Sequence, residues 1–66
     1  MEVIVNGLRA DVAPGTTVAG LLESEGLGGK PCAVEINREV VPRRLHAERE
    51  LREGDAVELV TLVGGG

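Results

Sequence analysis

Few side chains in this sequence could carry chemistry, and they do not cluster. There is one cysteine, Cys32, and one histidine, His46. A lone cysteine forms no internal disulfide, and no Cys/His group has the spacing of a metal site. No Ser/His/Asp or Cys/His arrangement suggests a nucleophile with its base. Cys32 follows Pro31 at the start of a strand, where a packing role is expected. His46 is expected in a loop, at the surface or partly buried, and Arg43 reads as a solvated loop arginine. The expected number of catalytic residues and of metal ligands is therefore none. What remains is the main chain itself. The sequence closes on Val63-Gly64-Gly65-Gly66, and three glycines in a row hold neither strand nor helix, because glycine loses the most backbone entropy on ordering. A frayed end is the ordinary meaning of such a stretch. The alternative is a slim lead, Gly64 and Gly65, that threads a narrow channel and delivers the α-carboxylate of Gly66 to another protein's active site. The absence of any solubilising side chain after Leu62 favours the second.

The 66 residues are enough for one small domain. We divide the chain into a folded body, 1–62, and a flexible glycine tail, 63–66. Its core must be aliphatic, since Phe, Tyr and Trp are absent. Seven basic residues against eleven acidic ones leave a net charge of −4, which disfavours nucleic acid as a partner, as does the lack of an aromatic stacking platform. No apolar run approaches the ~20 residues needed to span a bilayer, and nothing at the N-terminus resembles a signal peptide. A reducing cytoplasm is the expected compartment.

The elements that must present the tail can be read in order. Glu2-Val3-Ile4-Val5-Asn6 is a short strand, and Asn6-Gly7 is a strong hairpin signal. In Leu8-Arg9-Ala10-Asp11-Val12 the period of two places Leu8, Ala10 and Val12 on the side of Val3 and Val5, with Ile4 on the other. Thr16 or Thr17 caps a helix whose stripe is Val18, Leu21 and Leu22 and whose C′ glycine is Gly26. Gly20, inside that helix, suggests close approach to the sheet. Ala33-Val34-Glu35-Ile36-Asn37 is a third strand and Val40-Val41 a fourth. Residues 43–52 should be irregular or hold one short helical turn, anchored by Leu45 and Leu51. In the last strand Val57, Leu59 and Thr61 point one way; Glu58, Val60 and Leu62 point the other. The economical arrangement is α+β, a mixed sheet of four to five strands with one helix packed on one face. Ile4, Val60 and Leu62 would then form a small aliphatic island on the open face.

Val5-Asn6-Gly7, Pro14-Gly15-Thr16-Thr17-Val18, Leu21-Leu22, Ala33-Val34-Glu35-Ile36-Asn37, Val41-Pro42-Arg43, Leu51, Gly54-Asp55 and the terminal glycines together resemble the ThiS-type sulfur carriers of thiamin biosynthesis, of the ubiquitin-like β-grasp family. The resemblance implies a protein co-substrate and not an enzyme. An adenylating, E1-like partner would use ATP and magnesium to activate the carboxylate of Gly66, the chain itself binding no cofactor. Sulfur from a donor protein's cysteine persulfide would replace AMP and leave a thiocarboxylate, and a thiazole synthase would consume it to build the thiazole of thiamin. The free carrier would be a monomer. Ile4, Val60 and Leu62 correspond to the surface that ubiquitin-like proteins use for docking. The pattern departs from its relatives at Arg44-Leu45-His46, where an aromatic often follows Pro-Arg. Two alternatives share the fold. One is the small subunit of molybdopterin synthase, although such chains often carry a Pro-Pro pair where this one has Thr61-Leu62-Val63. The other is a β-grasp interaction module or protein modifier.

Overall fold

A computed structural model describes residues 1–62 of the chain. Strand β1, Glu2–Val5, turns through Asn6 and Gly7, both at positive φ (49° and 82°), into β2, Leu8–Asp11. Two left-handed residues in succession give the turn whose twist matches an antiparallel hairpin. Helix α1 spans Val18–Ser24, β3 spans Cys32–Ile36, β4 is the short Glu39–Val40, a single 3₁₀ turn covers Arg43–Leu45, and β5 is Ala56–Thr61. The strand order is β2-β1-β5-β3-β4. β5 runs parallel to β1 and antiparallel to β3. This is the mixed five-stranded sheet with one helix of the ubiquitin-like β-grasp fold.

Alternation along the strands builds the core. Val3 and Val5 of β1, Val34 and Ile36 of β3, and Val57 and Leu59 of β5 are buried beneath Val18, Leu21 and Leu22 of the helix, with Leu51 closing one side. Each such side chain contributes roughly 1.5–3 kcal/mol on burial, and a helix of seven residues persists only through that packing.

Both ends of α1 are satisfied. Thr17 Oγ1 accepts from the Gly20 amide at 3.1 Å, while the amides of Val18 and Ala19 donate to the carbonyls of Arg49 and His46 at 2.9 and 2.8 Å. Three otherwise orphaned helix donors are thus taken up. At the other end Gly26, at φ 76°, lets its amide reach Glu23 and the Leu27 amide reach Leu22 (3.1 and 2.8 Å), the paired bonds of a Schellman motif.

Three expectations need correction. Leu8 lies opposite Val5 and so shares the core side, yet it is 74% exposed, because β2 is the outermost strand. Gly20 faces solvent, and a Cβ built on it would meet only the cap threonine and Thr16 at ordinary distances of 3.5 and 3.6 Å; no close approach to the sheet requires it. His46 is buried. Its Nε2–H donates to the Val41 carbonyl at 3.0 Å, pinning the 3₁₀ turn to the chain leaving β4.

Candidate functional site

Polar side chains brace β5, the strand that precedes the last residues in sequence, on both sides. Asn6 Oδ1 accepts from the Leu59 amide at 2.7 Å and its Nδ2 donates to the Leu59 carbonyl at 3.2 Å. The side-chain amide thereby imitates a peptide group and prolongs the β1–β5 pairing, whose paired residues are Ile4 with Ala56 and Val5 with Val57. On the other side Asn37 Oδ1 accepts from the Ala56 amide at 3.0 Å, and its Nδ2 donates to Asp55 at 3.1 Å. Asp55, also buried, accepts from the Arg52 amide at 2.8 Å and pairs with Arg49 at 3.5 Å. Beyond Thr61, the Leu62 amide donates to the Pro31 carbonyl at 3.0 Å. The described chain is therefore held to its last residue. Sequence reasoning took Asn6 only as a turn residue and Asn37 as a strand end; the signal for more was an Asn at each of two hairpin corners flanking the final strand.

Gly64, Gly65 and Gly66, the expected tail and attachment point, lie outside the described residues. The three expected docking residues are exposed: Ile4 37%, Val60 55% and Leu62 54%. They do not form one island. Ile4 is level with Ala56 on β5, and Val60 stands four residues further along, about 13 Å away at the rise of a strand. Val60 lies opposite Ala33. Between the two apolar ends, Glu58 of β5 faces Glu35 of β3.

On the helix side, a shallow cavity of about 250 Å³ is lined in part by Lys30, Cys32, Arg43 and His46. Cys32 is half-buried and packs against the core, its Sγ directed at the Ala33 carbonyl at 3.6 Å, while Arg43 is exposed. Among the described residues no group of three His, Cys, Asp or Glu side chains could hold a metal ion, and no helix is long and apolar enough to cross a membrane. The described body offers a braced strand and an open sheet face.

Comparison with known proteins agrees with this reading of the fold. The chain is 35% identical over all its 66 residues to a thiazole synthase of Paramagnetospirillum magneticum, of whose length it spans 20%. It is 32% identical, end to end in both chains, to the sulfur carrier protein ThiS of Escherichia coli. The crystal structure of a thiamine biosynthesis protein, ThiS, from Geobacter metallireducens superposes with a TM-score of 0.83 at 33% identity, covering both chains completely. The model of the ThiS family matches residues 3–66. A match that runs from the first strand through the terminal glycines, on a fold shared over its full length, places the chain in the ThiS family.

Proposed function

We propose that this protein is the sulfur carrier for synthesis of the thiazole moiety of thiamin. The observation that carries the proposal is the family match extending through Gly66, together with full-length similarity to a relative named as a sulfur carrier. In this reading an adenylating partner, with its own ATP and magnesium, joins the Gly66 carboxylate to AMP. A carboxylate is a poor electrophile, and the acyl-adenylate supplies a leaving group. The outer sulfur of a donor's cysteine persulfide attacks the acyl carbon and expels AMP, forming an acyl disulfide. A second thiol then cleaves its S–S bond by thiol–disulfide exchange, becoming disulfide-bonded to the donor cysteine, and the thiocarboxylate so released passes its sulfur to a thiazole synthase. The Gly66 carboxylate is itself the nucleophile toward the α-phosphate of ATP, with pyrophosphate leaving, and the carrier needs no acidic, basic or nucleophilic side chain for any of these steps. Gly64 and Gly65 act as the narrow lead, and Ile4, Val60 and Leu62 as docking contacts at the two ends of the open face. That a thiazole synthase contains a stretch similar to this whole chain supports the consuming enzyme as a partner.

Intact-mass measurement tests the proposal. After incubation with an adenylating partner, ATP and a sulfur donor, the chain should gain the mass of sulfur in place of one oxygen. An unchanged mass across several such partners rejects it, and a covalent ladder on other proteins points to a modifier instead.

A further inference from the structure

The open face holds a charge arrangement that the fold does not need for itself. Glu35 and Glu58 are directly opposite on antiparallel strands, which sets their Cβ atoms about 4.5–5.5 Å apart, and like charges so placed destabilise a sheet. Both are exposed. Among the described residues the ion pairs are the N-terminal ammonium with Asp11 and Arg49 with Asp55, so neither glutamate is neutralised. Arg9, the cation on this face of the β1–β2 hairpin, is opposite Ile4 and separated from β5 by the whole of β1. Apolar side chains flank the two carboxylates: Val60 beside Ala33 at one end, Ala56 beside Ile4 at the other, and Val40, 70% exposed, opposite Glu35. The exposed Asn6 and Asn37 nearby have their amides engaged with the backbone of Leu59 and Ala56.

We propose that this face receives a partner protein that inserts an arginine side chain between Glu35 and Glu58, with apolar side chains closing over Val60 and Val40. The inference rests on the carrier reading and names the chemistry of its docking partner. A guanidinium presents a planar fork of donors that can serve two carboxylates at once, which an ammonium does less well. The apolar surround excludes water on docking and strengthens those charge-assisted bonds. The repulsion borne by the free carrier is relieved only in the complex. A second copy of the chain is the wrong occupant, because it would set carboxylates against carboxylates on a molecule already at −4.

The test combines calorimetric titration against the adenylating partner with thermal unfolding of the free carrier, for wild type, Glu35→Gln, Glu58→Gln, the double variant and Val60→Asp. Each glutamine variant should unfold at the same or a higher temperature than wild type, yet bind roughly ten- to a hundredfold more weakly. Wild-type binding should weaken as salt is raised, and the double variant's should weaken much less. Wild-type affinity in both single glutamine variants, with Val60→Asp still impaired, overturns the inference and leaves the carrier function standing, since sulfur uptake by mass is then retained. Absence of sulfur uptake by the wild type overturns both. A concentration-dependent dimer in sedimentation that Val60→Asp abolishes would identify a second copy as the occupant and also overturn it.

Discussion

Asn6 illustrates how much one side chain settles in a domain of this size. Its amide binds both polar groups of Leu59, and its φ of 49° is one that asparagine tolerates better than most residues. Asn6→Ala leaves the Leu59 amide and carbonyl without these partners and should destabilise the fold by about 1–3 kcal/mol. Asn6→Asp keeps the acceptor and loses the donor, so its urea midpoint should fall between those of wild type and alanine. Equal midpoints for alanine and wild type would show that the clamp carries no stability. The hairpin turn was legible in Asn6-Gly7 because turn chemistry is local. The clamp on Leu59 was not, since it joins residues far apart in sequence. The burial of His46 was not legible either: its ring bond to the Val41 carbonyl is local, but its own carbonyl takes the Ala19 amide of the distant helix.

At the scale of elements, local signals were read well wherever they concern one turn of chain. Thr17 as cap, the stripe Val18, Leu21, Leu22 and the C′ glycine all stand as expected. Their consequence for residues 43–51 was hidden. That segment looks irregular because its carbonyls serve the helix: those of Arg49 and His46 take the first two α1 amides. Two substitutions follow. Gly20 is exposed with room for a methyl group, so Gly20→Ala should raise stability by about 0.5–1 kcal/mol; a loss would reveal a contact absent from this structure. In the β3–β4 turn Arg38 holds φ at 71°, a conformation that costs a residue with a Cβ about 1–2 kcal/mol. Arg38→Gly should therefore also raise the unfolding temperature, by less than the full strain because glycine is more flexible when unfolded. The two gains should add, being on distant elements.

For the whole molecule, stability and the proposed chemistry are carried by different parts. Among the described residues the ten that form the buried core run from Val3 to Leu59, so deleting Gly66 should leave thermal unfolding unchanged while abolishing the sulfur-for-oxygen mass gain. A large drop in unfolding temperature would tie the terminal residue to the fold. The sequence by itself determined the strand faces, the hairpin, the helix and its caps, and through their combination the family; all of these rest on spacings of a few residues, where backbone geometry dictates which way a side chain points. Only the tertiary structure decided that β5 lies parallel to β1, with Ile4 level with Ala56 and thus far along the face from Val60, and that Glu35 meets Glu58. Alternation tells which face a residue takes but not which residue of another strand it meets. That register is set by hydrogen bonds and core packing between segments separated by most of the chain.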